Sequence, residues 1–293
     1  LAIPIAANIG GMGTPIGTPP NAVAIGALDN AGYSIGFLDW MLRMIPYVIV
    51  MIIIAWVLLT VFFPFKAKSI VLDIPVKESK KDWRTYVAWI TFFLTIILWM
   101  TEQATGINSN VVALIPLAVY TCTGVFTKED IKEINWSVLW LVAGGFALGI
   151  GLNKTGLAAT LINAIPFSSM NVVIVMIVAG LICYLLSNFI SNSATAALLV
   201  PILVVVGTAL EDPAAASHTQ FESMGGMYAL IPFIAMCASI AMLFPISTPP
   251  NAIAASTGLV PTKDMTKVGI IIGVIGFILG YFLLTTLFPF QAA

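Results

Sequence analysis

Two consecutive prolines inside an apolar run free backbone groups for chemistry. Proline has no N–H and pushes the residue before it out of the helical conformation. A Thr-Pro-Pro in such a run therefore leaves carbonyls unpaired on one side and amides on the other. This chain carries the arrangement twice. Pro15-Ile16-Gly17-Thr18-Pro19-Pro20-Asn21-Ala22-Val23-Ala24 recurs as Pro245-Ile246-Ser247-Thr248-Pro249-Pro250-Asn251-Ala252-Ile253-Ala254, with eight of ten positions identical. Freed carbonyls suit a hard cation such as Na⁺, and freed amides at the start of a half-helix suit an anion. A third polar feature lies between the copies, Ser187-Asn188-Phe189-Ile190-Ser191-Asn192-Ser193-Ala194-Thr195. Its hydroxyls and amides can both donate and accept. Ser191 and Ser193 precede an apolar run from Ala194 and are placed to cap it.

Each motif alone has a bland explanation. A lone Pro-Pro is often only a kink, and Ser or Thr in an apolar helix often bonds back to its own backbone. Recurrence decides between the readings: a kink gives no reason to keep Thr, both prolines and Asn in both copies, so the pair reads as a binding device. Other groups read structurally. Gly144 and Gly145 suit close helix packing. Glu102, with Asn108 and Asn110, reads as solvated outer loop, Arg43 as an interface anchor, and His218, the single histidine, as a solvated loop residue. Cys122, Cys183 and Cys237 are too widely spaced for a disulfide framework or a metal cluster. No acidic pair or Ser–His arrangement falls within an apolar run, so an enzyme is not indicated.

The elements that must carry these motifs are membrane helices. Of the 293 residues, 60% are hydrophobic and only 9% charged, and the mean hydropathy is +1.05. A soluble domain would need more charge to cover its surface. A membrane span takes about 20 mostly apolar residues, and the runs at 45–65, 86–100, 111–125, 138–150, 172–186 and 268–288 predict an all-α polytopic membrane protein. A net charge of −1 gives no basis for nucleic-acid binding.

Each decapeptide is followed by a polar connection, a long apolar helix and a Phe-Pro-Phe end, Phe63-Pro64-Phe65 and Phe288-Pro289-Phe290. The offset is 230 at the decapeptide and 225 at the end, which marks one structural unit used twice. Lys and Arg set the orientation. Lys66, Lys68, Lys77, Lys80, Lys81 and Arg84 place the first end in the cytoplasm, with 101–110 outside, Lys128 and Lys132 inside, 211–222 outside, and Lys263 and Lys267 inside. Ten of the twelve basic residues are then cytoplasmic and the C-terminus is outside. The two copies end on opposite faces, as in inverted-topology repeats built around discontinuous helices. The map requires residues 171–208 to enter and leave on the outer side, as a re-entrant hairpin with the polar cluster at its tip. A single crossing helix would break it.

The paired Thr-Pro-Pro motifs and the Ser191-Asn192-Ser193 tip resemble those of the divalent anion/sodium symporter family, carriers of di- and tricarboxylates such as succinate, malate, fumarate and citrate. The resemblance covers essentially the whole chain. It implies a multi-pass carrier in the cell (inner) membrane, coupled to Na⁺, working as an elevator-type homodimer with a scaffold and a mobile transport domain. It implies that Ser191, Asn192 and Ser193 contact substrate carboxylate, with Thr18, Pro19, Thr248 and Pro249 flanking it. One sodium site would use Ser187, Ser191, Asn192 and the Ser247 carbonyl. The other would use the Gly17 carbonyl with a first hairpin. That hairpin would precede Leu1, so the family pattern makes this chain N-terminally truncated. The tip here ends in Ser193 where the family has Thr, which keeps the hydroxyl and drops a methyl. On this pattern 1–40 is the interrupted helix of the first repeat, and 41–135 the scaffold helices and connector. The second-repeat transport domain is 136–260, with hairpin 171–208 and interrupted helix 226–256, and 261–293 is the last scaffold helix. Two alternatives stay open: a sodium-independent dicarboxylate exchanger of the same fold, and an oxyanion efflux or channel protein.

Overall fold

The computed structural model describes residues 1–64, 82–157, 160 and 171–287. The lysine run within 65–81 and the second Phe-Pro-Phe lie outside the described residues. All regular structure among those described is helical. The order is α1 (Ala2–Gly11), α2 (Pro19–Asn30), α3 (Phe37–Phe62), α4 (Trp83–Met100), α5 (Glu102–Thr105), α6 (Ser109–Cys122), α7 (Lys128–Glu133) and α8 (Trp136–Lys154). After these come α9 (Val172–Phe189), α10 (Asn192–Leu210), α11 (His218–Ser223), α12 (Gly226–Ser239), α13 (Pro249–Ser256) and α14 (Thr262–Phe282), which runs into a π-helical turn, Leu283–Leu287.

Among the described residues, five helices are long and apolar enough to cross a membrane: Phe37–Phe62, Trp83–Met100, Val172–Phe189, Asn192–Leu210 and Thr262–Leu287. Their outer faces carry exposed Ile53, Trp56, Val57, Ile90, Phe93, Ile174, Leu185 and Val274. Exposed apolar area of this extent on long helices fits lipid, not water, and the chain is a multi-pass membrane protein. α3 starts well before the apolar run at 45, and in its first turns the Arg43 guanidinium lies 3.7 Å from the Asp39 carboxylate one turn back. The segment from Val172 is two helices, not one. Asn171 accepts from Val173 N at 2.9 Å to start α9, and Ser191 Oγ accepts from Ala194 N at 3.1 Å to start α10.

Of the described residues, those within 1–35, 39–61 and 137–287 form one compact unit, and those within 36–38 and 62–136 form another. In the first, α12 is buried at every position from Gly226 to Ser239 except the half-buried Tyr228. It packs on α2, α9, α10 and α14. Glycines let its large side chains in. A Cβ on Gly180 would meet the Phe233 ring, one on Gly207 the Met227 thioether, and one on Gly280 that of Met236. Gly145 in α8 likewise backs onto α10, where a Cβ would stand 2.8 Å from Ala197 O. Gly144 faces open space, so only one of the two glycines serves packing. The helix before each break packs on the helix after the other: α1 on α13, and α12 on α2.

In the second unit α4 packs on α6. Glu102 is half-buried and tied, not solvated. Its carboxylate accepts from Ser109 N at 2.9 Å and Ser109 Oγ at 2.6 Å, closing the start of α6, and from Phe37 N at 3.3 Å. His218 also differs from the solvated reading, since it is half-buried at the start of α11 with its Nδ1 enclosed and unpaired.

Candidate functional site

The two proline breaks fold alike because the sequence gives each the same three parts. Thr18 and Thr248 are extended, with φ −147° and −140°, and the prolines after them occupy the first two positions of α2 and α13. There their missing N–H groups cost nothing. The Asn that follows then turns back across the break. Asn21 Nδ2 donates to the carbonyls of Gly11, Met12 and Thr14 at 3.3, 3.3 and 2.9 Å. Asn251 Nδ2 donates to those of Met242 and Phe244 at 2.9 and 3.2 Å. Met12 and Met242, like Thr14 and Phe244, stand 230 residues apart, so the same carbonyls are tied in each copy.

Several carbonyls around each break are thus already paired, and the ones left matter. The carbonyls of Gly17 and Ser247 accept no hydrogen bond among the described residues. The Gly17 peptide rests directly on Gly11: a Cβ on Gly11 would stand 2.9 Å from Gly17 O. At the equivalent place Ser247 keeps a side chain, and its Oγ donates to Asn188 O at 3.0 Å. Asn188 replies through its own Oδ1, which accepts from Leu243 N at 2.9 Å, while the Phe189 and Phe244 rings meet at 5.6 Å. These bonds clasp the hairpin tip to the second break.

The tip holds the unpaired oxygens. Ser187 Oγ, Asn192 Oδ1 and Thr195 Oγ1 are buried with no hydrogen-bond partner. Their residues are 0%, 8% and 1% exposed. Ser239 Oγ, at the end of α12, is buried and unpaired as well. Buried polar atoms left unpaired cost stability; this unit holds seven among the described residues, and these four lie at the tip and at the end of α12. Basic residues are absent from the motifs, and among the described residues no group of His, Cys, Asp and Glu is placed to hold a metal ion.

Of the residues read from the sequence, Ser187 and Ser247 meet through Asn188, with Thr248 buried beside them and its Oγ1 accepting from Asn251 N at 3.3 Å. Ser191 is exposed and Ser193 half-buried at the start of α10, and Pro249 is exposed. Only Ser191 caps α10; Ser193 is already inside the helix. Gly17, Thr18 and Pro19 gather at the first break, with Gly17 and Pro19 exposed and Thr18 half-buried. No hydrogen bond joins them to the tip among the described residues, although α2 packs along α10. Sequence reasoning did not give Asn21 and Asn251 their carbonyl-tying role, yet the signal was present: both survive in the repeat. Asn8 carried no signal. Its Nδ2 donates to Asn251 Oδ1 at 3.0 Å, linking α1 to the second break.

A family profile described as citrate transporter matches residues 1–224. The chain belongs to this family. Relatives agree on transport and differ in cargo. An uncharacterized transporter of Schizosaccharomyces pombe is 33% identical over 95% of the chain and 32% of its own length. A low-affinity phosphate transporter of Saccharomyces cerevisiae is 29% identical over 75% of the chain and 25% of its own length. A sodium-dependent dicarboxylate transporter of Staphylococcus saprophyticus is 29% identical over 92% of the chain and 54% of its own length. The chain thus spans from a quarter to about half the length of these relatives. The likeness to sodium-dependent dicarboxylate transporters bears out the resemblance read from the motifs, and the family and its relatives' names indicate a transporter, not an enzyme.

Proposed function

We propose that the protein carrying this chain moves di- and tricarboxylates such as succinate, malate, fumarate and citrate across the cell membrane, driven by Na⁺. The observation that carries the reading is the meeting of hairpin tip and second break. There, unpaired buried Ser187 Oγ and Asn192 Oδ1 lie close in sequence to Asn188, which Ser247 grips while its own carbonyl stays free. Such oxygens suit a hard monovalent cation. In this reading Ser187, Ser191, Asn192 and the Ser247 carbonyl hold one Na⁺, and the Gly17 carbonyl contributes to a second. Ser191, Asn192 and Ser193 meet substrate carboxylate, flanked by Thr18, Pro19, Thr248 and Pro249.

The need for a cation follows from magnitudes. A half-helix end contributes about 0.3–1 kcal/mol to an anion, about 2 when partly buried. Withdrawing each charge of a dianion from water costs several times that. With no Lys or Arg in the motifs, bound Na⁺ closes the gap, so it binds first and organises tip and breaks for the acid.

The repeated decapeptide, the matched Asn ties and the reciprocal packing of α1 on α13 and α12 on α2 support an inverted repeat. The working division is 1–40 and 136–260 as transport domain and 41–135 with 261–293 as scaffold, in an elevator homodimer with the C-terminus outside. The phosphate-transporting relative favours a second reading, an oxyanion carrier of the same fold.

Uptake of labelled succinate into proteoliposomes, with and without an inward Na⁺ gradient, tests the proposal. Gradient-driven accumulation is expected. Uptake that needs internal dicarboxylate but not Na⁺ means an exchanger, and phosphate uptake without succinate uptake means the second reading.

A further inference from the structure

Several threonines in the helices of this chain turn their hydroxyls onto their own backbone. Thr95, Thr121, Thr155 and Thr285 each donate to the carbonyl four residues earlier, at 2.7, 2.6, 2.7 and 2.7 Å. Thr195 does not. The carbonyl four residues before it, Ser191 O, is in place and accepts from Thr195 N at 2.9 Å. Its Oγ1 is nevertheless buried and unpaired, in a residue 1% exposed. A buried hydroxyl that declines an acceptor one turn away is costly unless something else takes it. Thr195 lies three residues after Asn192, so both project from one face of α10. Asn192 Oδ1 is also buried and unpaired, and Ser187 Oγ adds a third such oxygen from the last turn of α9.

We propose that Thr195 is a further cation-binding residue, its hydroxyl oxygen joining those of Ser187 and Asn192 around Na⁺. The proposal rests on the sodium reading above. Three neutral oxygens without a carboxylate suit a monovalent cation better than Ca²⁺ or Mg²⁺, which are held through carboxylates. The hydroxyl proton turns away and leaves a lone pair for the ion.

Thr195→Val removes the oxygen at nearly constant volume, and Thr195→Ser keeps it. The measurement is the melting temperature of the purified protein as NaCl replaces KCl at fixed ionic strength, read beside the Na⁺ dependence of succinate uptake. Wild-type protein should melt higher in Na⁺. Thr195→Val should need about tenfold more Na⁺ or more, yet melt in KCl no lower than wild type, because an unpaired buried hydroxyl has gone. Thr195→Ser should follow wild type. An unchanged Na⁺ dependence in Thr195→Val overturns the proposal and leaves the sodium reading standing. Loss of the response in the serine variant also overturns it, by assigning Thr195 to packing. A wild type indifferent to Na⁺ sinks both. Should the valine variant fail to fold, Thr195→Ala replaces it: a response lost in alanine and kept in serine supports the proposal, and one kept in both overturns it.

Discussion

Asn192 is the residue at which charge tests the site most directly. Its carboxamide oxygen is buried and unpaired at the start of α10, and Asn192→Asp keeps its shape while adding a negative charge and removing its two N–H donors. In the proposed site the new carboxylate faces the substrate carboxylate, and like charges at that range oppose binding. Uptake should be abolished while the protein still folds and still responds to Na⁺, because the added charge attracts the cation. Near-normal uptake by the variant would remove Asn192 from the site. Much of this was readable from residue types. Ser187, Asn192 and Ser247 stood out as polar groups in apolar runs. Which of their atoms lack partners was not readable, since that depends on rotamers fixed by neighbouring helices.

At the scale of elements, each break is a pair of half-helices held together by one asparagine. Asn251 has a double duty: it ties the carbonyls of Met242 and Phe244 and accepts from Asn8. Asn21 ties its own break in the same way, but its Oδ1 is buried without a partner. At the offset of 230 from Asn8 stands Ala238, which has no side-chain donor. Asn251→Ala should therefore destabilise more than Asn8→Ala. The first strands two carbonyls and a buried amide, and the second strands a single acceptor, at about 1–3 kcal/mol for each group left unpaired. A double-mutant cycle by thermal unfolding should return about 0.5 kcal/mol or more of coupling. Strict additivity would mean the Asn8–Asn251 bond carries no energy. The repeat announced that Asn21 and Asn251 matter. It did not announce Asn8, because a residue 243 positions away becomes a partner only once α1 packs on α13.

At the scale of the molecule, a second polar junction ties the loop after α2 to the end of α10. The Tyr33 hydroxyl donates to Glu211 Oε2, and the Tyr33 ring meets Tyr228 edge-on at 5.4 Å. Gly226 lies beside both carboxylates, and its φ of +55° calls for glycine; a Cβ there would make only ordinary contact, 3.5 Å from Glu211 and 3.5 Å from Glu222. Burial raises the Glu211 carboxyl above its ordinary value, the Tyr33 hydrogen bond opposes the shift, the Glu222 carboxylate adds to it, and Met227 N–H and His218 oppose it. A carboxyl raised on folding binds its proton more tightly in the folded state. Its contribution is therefore fully present below the ordinary carboxylate value and is lost as pH rises through the folded value. Melting temperature should fall as pH rises just above the carboxylate range, and Glu211→Gln should flatten that slope. An unchanged slope would assign it to other groups.

Composition and periodicity determined the class of this protein. Every backbone group in lipid must be paired internally, which leaves helices or closed barrels, and with 9% charged residues and long continuous apolar runs in place of short alternating ones, this chain takes helices. The duplicated Thr-Pro-Pro-Asn likewise determined where those helices break, since proline acts through local covalent geometry. The tertiary structure decided which freed groups remain free. Asparagine amides close the carbonyls of Met12, Thr14, Met242 and Phe244 but not those of Gly17 and Ser247. It also decided that Thr195 withholds its hydroxyl from its own helix. The asparagine ties span only seven to nine residues, yet which atoms they reach, and which they leave open, depends on rotamers set by the packing of neighbouring helices, which no local pattern encodes.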